Sequence, residues 1–343
     1  MRFKNAVISS FAYHLPDQVM TSEEIEERLA PLYERLKLPA GRVELMTGIK
    51  ERRFWPPGTM PSDLSTQAAR NLFEKNIVKP DQIDLLIHAS VCRDFLEPST
   101  SSIVHHNLGL QTDIMFFDLS NACLGVMSSF VVAANMIDNG FIKHALIVSG
   151  ENGGPLLFQT IDRLLNDKNI TRKSIKKYIA NLTIGSAAVA YTVSHKDHVH
   201  EGHCLLGGAS LVDSSANVLC RGGGDTQSLM METDSEELMK SGVALAEKTW
   251  AETKRELGWT HDDVNCFVGH QVGVAHETLL KQILKLEHCP TFTTYQFLGN
   301  TGASALPVTL AIYDEEKKIP AGSQVGLLGI GSGLNSIMLG VKW

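Results

Sequence analysis

No two cysteines in this 343-residue chain are spaced as C-x-x-C, although six are present: Cys92, Cys123, Cys204, Cys220, Cys266 and Cys289. Zinc sites and redox dithiols use that spacing, so neither is expected and no metal is assigned. Scattered cysteines in a large chain argue for reduced thiols in a cytoplasmic protein, not a disulfide framework. No apolar run is long enough to span a bilayer. The opening MRFKNAVISSFAYHLP alternates like a strand. It lacks the apolar core and small-residue cleavage site of a signal peptide. Positive charge is also short: 31 Lys and Arg stand against 38 Asp and Glu, a net charge of −7. Phosphate backbones need clustered cations, so a nucleic-acid partner is not expected.

What is present is an ordinary globular composition, 43% hydrophobic and 20% charged, in a chain long enough to bury a sizeable core. Short apolar runs at 85–91, 145–149, 187–193, 266–269 and 325–330 read as buried strands. Periodic stretches at 65–76, 124–137 and 241–256 read as helices. Their alternation predicts an α/β fold. The pattern also repeats. LLIHASV and CFVGHQV are offset by 272 − 91 = 181, and the strands at Ala145 and Val325 by 325 − 145 = 180. Two nearly equal offsets point to a duplicated α/β unit. The division is placed at 1–170 and 171–343, inside the polar helical stretch 155–180.

Cys123 lies in FFDLSNACLGVMSSF, where a strand gives way to small polar residues and then an apolar helix. A thiol at a helix start meets unpaired N–H groups and the positive end of the dipole, which favour the nucleophilic thiolate. A buried structural cysteine is the alternative, and the other five are read that way. His270, in FVGHQVGVAHE, ends a strand, where α/β enzymes collect catalytic groups. A core histidine is its alternative. Asn300, in FLGNTGASALP, is flanked by Gly299 and Gly302, which allow a tight turn aiming the amide inward. Read alone, it is also an ordinary turn residue. The GIGSG run at 329–333 is either an oxyanion-binding turn or a plain one, and it is not a dinucleotide fingerprint. His195, His198, His200 and His203 are read as a polar surface loop, and 172–177 (RKSIKK) as a solvated face.

Together these segments resemble the thiolase superfamily, in its ketoacyl-ACP synthase III branch. The motifs span nearly the whole chain: T-G-I-K-E-R-R at 47–53, D-x-x-N-A-C ending at Cys123, G-H-Q at His270, G-N-T-x-A-S at Asn300 and the terminal G-x-G-S-G. The resemblance implies a five-layer α-β-α-β-α fold, a homodimer, and a Cys123–His270–Asn300 triad. The first half would carry Cys123, the second His270 and Asn300. Substrates would be coenzyme A thioesters, with acyl carrier protein as the alternative carrier and no other cofactor. The coenzyme A clamp of the fatty-acid-initiating members is not kept at 42–46 or 272–275.

The run R-D-F-L-E-P-S-T at 93–100 departs further. Glu97 stands where initiating enzymes carry an apolar residue, and in this it is similar to the OleA group, which joins two fatty acyl chains. The resemblance implies that Glu97 is a general base reaching across the dimer. The chemistry agrees. A malonyl thioester yields its carbanion by losing carbon dioxide, whereas an unactivated acyl thioester must lose an α-proton to a base. Burial beside an alkyl channel would make such a carboxylate more basic. The bland alternative is an N-cap for the helix starting near Pro98. The expected reaction is a Claisen condensation of two acyl-CoAs through S-acyl-Cys123. The N–H groups of Cys123 and of the turn from Gly331 to Gly333 would hold the oxyanion. The rivals are a malonyl-using synthase III, a hydroxymethylglutaryl-CoA synthase-like enzyme, a simple acyltransferase or thioesterase, and a non-catalytic acyl-binding subunit of another ketosynthase.

Overall fold

Runs such as HALIVSGE and AAVAYTVS, rich in small and β-branched residues, form strands buried on both faces at the centre of the molecule. The computed structural model describes residues 1–223 and 229–343. Among these, nine strands form one mixed sheet: β1 (Ala6–His14), β2 (Leu85–His88), β3 (Met115–Asp118), β4 (His144–Glu151), β5 (Ala187–His195), β6 (His203–Val212), β7 (Cys266–Gly269), β8 (Gln324–Gly331) and β9 (Asn335–Lys342). Their order is β7-β8-β9-β6-β1-β5-β4-β2-β3. The pairs β2–β3, β2–β4 and β7–β8 are parallel. The remaining neighbours are antiparallel.

The register carries the repeat seen in the sequence. Leu85 pairs with Ala145 where β2 meets β4, and Cys266 pairs with Val325 where β7 meets β8. The series β2-β4-β5-β1 is thus matched by β7-β8-β9-β6, and the two meet through only two residue pairs between β1 and β6. By strand pairing, β5 (187–195) belongs with the first series, because it is bonded to β1 and β4. By this pairing, the two series part between β5 and β6, at 196–202.

Five layers follow from where alternate side chains point. Leu85 and Ile87 of β2 face a central core shared with Val268 of β7 and Leu327 of β8. Two helices fill it, α3 (Gly125–Asp138) through Phe130 and Ala134, and α7 (Ala305–Lys317) through Leu310 and Ala311. A helix packed between the two strand series must be apolar on most of its surface, as GVMSSFVVAANMI is. Leu86 points outward and packs on α1 (Pro61–Phe73) and α2 (Thr100–Leu108) through Leu72 and Val104. Phe267 and Leu328 meet α5 (Ser235–Leu257) and α6 (Val274–Leu284) through Trp250 and Leu280. A fourth cluster joins the small N-terminal helices to α4 (Gly154–Asn166).

Helix α5 begins earlier than hydrophobic periodicity predicts. Its first turns, SEELMK, are polar and exposed, and are set by the Asp234 side chain accepting from the Glu237 N–H. Among the described residues no helix is long and apolar enough to cross a membrane.

Candidate functional site

Cys123 sits on a turn held open by its neighbours. Ala122 adopts a left-handed φ of 45°, a conformation costing a residue with a Cβ about 1 kcal/mol or more. Strain of this kind is kept where the surroundings impose it. They do so here. Leu124 lies against Gly329 and Gly331, where an added Cβ would come within 2.6 and 3.0 Å of its side chain. The Asn121 amide donates to Ser128 Oγ (2.9 Å) and Asn335 Oδ1 (3.3 Å). Asn335 in turn donates to the Ser332 carbonyl, so the nucleophile turn and the GIGSG turn are fastened together.

The resting thiolate expected from the helix start is not what the surroundings favour. The regular helix begins at Gly125, two residues later, with Leu124 at its N-cap. Burial pushes the Cys123 thiol up to about 12, the negative charge of Glu151 and nearby Cys220 add to this, and only its own backbone N–H opposes them. Desolvation outweighs the helix end, and the resting group is a thiol.

His270 follows β7 directly and donates its N–H to the Leu328 carbonyl (3.1 Å), on the strand whose next residue, Gly329, receives Leu124. It is buried, and desolvation followed by neighbouring His276 lowers its pKa to about 3. It is therefore a neutral imidazole with one donor and one acceptor nitrogen. Its Nδ1 has no hydrogen-bond partner among the described residues. A small cavity adjoins it, lined also by Gln271, Glu277 and Tyr295. Gln271 steadies this corner: its amide donates to the Gly269 carbonyl (2.7 Å) and accepts from the Thr294 N–H (2.8 Å).

Asn300 is fixed by its main chain. Its N–H donates to Thr183 O and its carbonyl accepts from the Gly185 N–H, both at 2.9 Å. The crossing is too close for side chains. A Cβ on Gly185 would lie 1.9 Å from Leu298 O, and Gly299 combines a φ of 66° with a Cβ position 2.5 Å from Thr183 O. Arg52, fully buried in the T-G-I-K-E-R-R motif, lies beneath both glycines and donates to Ser22 Oγ and the Leu182 carbonyl. The Asn300 side-chain oxygen accepts from the Gly302 N–H (3.1 Å), which leaves its NH2 group for a ligand.

The sequence reading passed over Glu151, the last residue of β4. It is buried, and its carboxylate accepts from the backbone N–H groups of Val91 (2.9 Å), Cys92 (3.1 Å) and Ala303 (2.9 Å). Burial raises its pKa, and these donors oppose that shift. A carboxylate closing a hydrophobic strand reads as a solvent-facing end, so the sequence held no local signal that it turns inward.

Glu97 is placed differently. It is exposed, and among the described residues it makes no hydrogen bond or ion pair. It does not cap the helix after Pro98. Helix α2 starts at Thr100, and Asp118 takes the Thr100 and Ser101 N–H groups at 2.8 Å each. The loop that carries Glu97 also exposes apolar side chains, Val91, Phe95 and Leu96, and edge strand β3 exposes Met115 and Phe116. One chain alone does not enclose this carboxylate.

Among the described residues no three His, Cys, Asp or Glu side chains are grouped to hold a metal ion. The loose histidine run divides: His195 and His198 meet edge to face, while His203 stacks on Trp343. In the basic run, Lys177 pairs with Glu232 at 3.2 Å, and Arg172 donates to the carbonyls of Leu36 and Lys37.

Residues 117–161 match the family model for 3-oxoacyl-[acyl-carrier-protein] synthase III, and 255–343 match its C-terminal model. The chain is 37% identical to an acyl-CoA:acyl-CoA alkyltransferase of Shewanella oneidensis and 35% identical to one of Xanthomonas campestris, each over the full length of both chains. Solved structures of Xanthomonas campestris OleA superpose with a TM-score of 0.95 at 35% identity, covering all of this chain. They include histidine-to-asparagine and glutamate-to-aspartate variants, and a form with cerulenin bound.

Proposed function

The chain belongs to the acyl-CoA:acyl-CoA alkyltransferases, the OleA group of the thiolase superfamily, and from that membership we propose how its residues divide the work. The enzyme is an acyltransferase that carries out an OleA-like Claisen condensation of two acyl-CoAs. Cys123 is the nucleophile. Its sulfur bonds to the carbonyl carbon of the first acyl-CoA, coenzyme A departs as the free thiol with the proton Cys123 gives up, and S-acyl-Cys123 remains. The Cys123 N–H and the Gly331–Gly333 turn receive the oxyanion, each donor contributing about 3–4 kcal/mol. Leu124 packed on Gly329 and Gly331 supports that pairing.

The second acyl-CoA follows. The Asn300 NH2 group and neutral His270 hold its thioester oxygen as enolate charge develops. Glu97 of a second subunit takes the α-proton. The carbanion attacks the acyl carbon on Cys123, the C–S bond breaks, and a 2-alkyl-3-oxoacyl-CoA leaves. The proton on Glu97 returns to the Cys123 thiolate, restoring both groups. A homodimer formed on the apolar face around Glu97 supplies the missing subunit, and its burial of Phe95 and Leu96 would dry the carboxylate. We place the enzyme in the cytoplasm, where its thiols stay reduced. Coenzyme A is the carrier, with acyl carrier protein the alternative.

The observation that carries this reading is the joining of the Cys123 turn to the end of β8, where His270 is also anchored, in a chain that matches the alkyltransferases end to end. The test is incubation of purified protein with myristoyl-CoA alone. Intact mass should show one acyl group on Cys123, and each condensed product should release one free coenzyme A thiol. Absence of adduct, thiol and product would sink the reading. The match to synthase III models favours one rival, a malonyl-using enzyme. It predicts condensed product only when malonyl thioester is added.

A further inference from the structure

Glu151 joins three segments that the proposed reaction needs in register. Its Oε1 accepts from Val91 and Ala303, and its Oε2 from Cys92. Val91 and Cys92 begin the loop that carries Glu97. Ala303 lies three residues after Asn300, whose side chain is itself oriented by the Gly302 N–H. Approach to the carboxyl group is close enough to demand glycine at 302: φ is 60° there, and a Cβ would lie 2.9 Å from Oε1. Beside the carboxylate a serine relay joins the same segments. Ser149 Oγ bonds to Ser90 Oγ (2.9 Å) and Ser304 Oγ (3.0 Å). The titratable groups facing Glu151 are Cys92, whose sulfur also touches the main chain of Asn152, and Cys123, which feels its charge.

We propose that Glu151 is a positioning residue for the second half-reaction, setting the Asn300 turn and the root of the Glu97 loop against one buried carboxylate. The inference rests on the condensation described above. Its oxygens are already engaged by three backbone N–H groups and face those segments, so it is not placed to take a substrate proton. Its use is geometric. Displacing a group that orients the substrate by about 1 Å costs on the order of 100-fold in rate. The nucleophile turn is fastened separately, through Leu124 and Asn121, so the first half-reaction does not depend on Glu151 to the same degree.

The experiment compares Glu151→Gln and Glu151→Asp with the unaltered enzyme in single turnovers. Acylation of Cys123 by myristoyl-CoA is read by intact mass, and condensation by adding a second myristoyl-CoA to preloaded S-acyl enzyme. Glu151→Gln turns an NH2 group toward a backbone donor, and Glu151→Asp shortens the reach. Both should slow condensation by about 100-fold and acylation by less than about tenfold. Equal slowing of both steps, or unimpaired condensation, overturns the proposal. A second readout needs no acyl-CoA. Alkylation of Cys123 by iodoacetamide should move to lower pH in Glu151→Gln, where the neighbouring charge is gone, and stay in place in Glu151→Asp. A Glu151→Gln profile identical to that of the unaltered protein also overturns it. Were the condensation reading itself wrong, the unaltered enzyme would form no product while the alkylation profiles remained measurable.

Discussion

Glu151 and Glu97 are both carboxylates tied to the loop that leaves β2, and they live in opposite surroundings. Glu151 is buried under three backbone donors and holds the start of that loop. Glu97, six residues beyond Val91, is exposed, unbonded among the described residues, and flanked by bare Phe95 and Leu96. The first environment is completed by its own chain. The second has the composition of a surface awaiting a cover: a polar group on a loop with exposed apolar side chains, in a chain whose edge strand β3 also exposes apolar residues. A carboxylate held by fixed donors positions its neighbours, while one with free lone pairs is available to take a proton.

The strongest challenge to this contrast is Glu97→Ala. Condensation should fall by about 10²–10⁴-fold while acylation of Cys123 proceeds, measured by coenzyme A release and intact mass. Mixing Glu97→Ala with Cys123→Ala subunits sharpens it. Activity should reappear, because one of the two sites in a mixed dimer regains both groups. Failure of the mixture, with exchange shown by mass, would place Glu97 in the same chain as its cysteine. A smaller effect concerns the enclosed side. Burial lowers the pKa of His276, beside the His270 corner, to about 4, whereas an unfolded histidine titrates near 6.5. Unfolded chains therefore take up the proton first, and stability is lost as pH falls from about 6.5 to about 4. Thermal melts across that range should show the loss, of about 2–3 kcal/mol from this group, and His276→Gln should flatten the curve. The smallest expected effect is at the far end of the Glu97 loop. Asp118→Asn weakens the cap on Thr100 and Ser101 and should cost about 1 kcal/mol in denaturant unfolding, with little change in acylation.

How far the sequence could be read follows the same division. Cys123, His270 and Asn300 stand in runs whose glycines and strand ends betray a turn, and the 180-residue offsets reappear as matching strand registers. Glu97 stands out in the sequence by its charge in the run R-D-F-L-E-P-S-T, and the structure places it on an exposed loop. Glu151 does not stand out, because nothing in HALIVSGEN tells an inward carboxylate from an outward one. The upward shift of the Cys123 thiol is hidden for a related reason. A helix start is visible in a sequence, but the burial of the thiol and the Glu151 charge beside it arise only when distant segments meet in the fold. Which strand series β5 joins was not legible either, because it follows a long polar stretch yet hydrogen-bonds back to β1 and β4.

The middle layer has one further consequence. Cys123 leads into α3 and Asn300 leads into α7, and these two helices share a single core between sheet series joined edge to edge by only two residue pairs. Neither half owns a finished centre. A nascent chain that has made β1 to β5 already carries the thiol and Glu97, but the glycine turn at 329–333 and His270 arrive only with the final third of synthesis. On the proposed mechanism, acyl transfer to Cys123 is therefore a certificate of completed folding: truncated or half-docked molecules keep the sulfur yet lack the groups assigned to help it react.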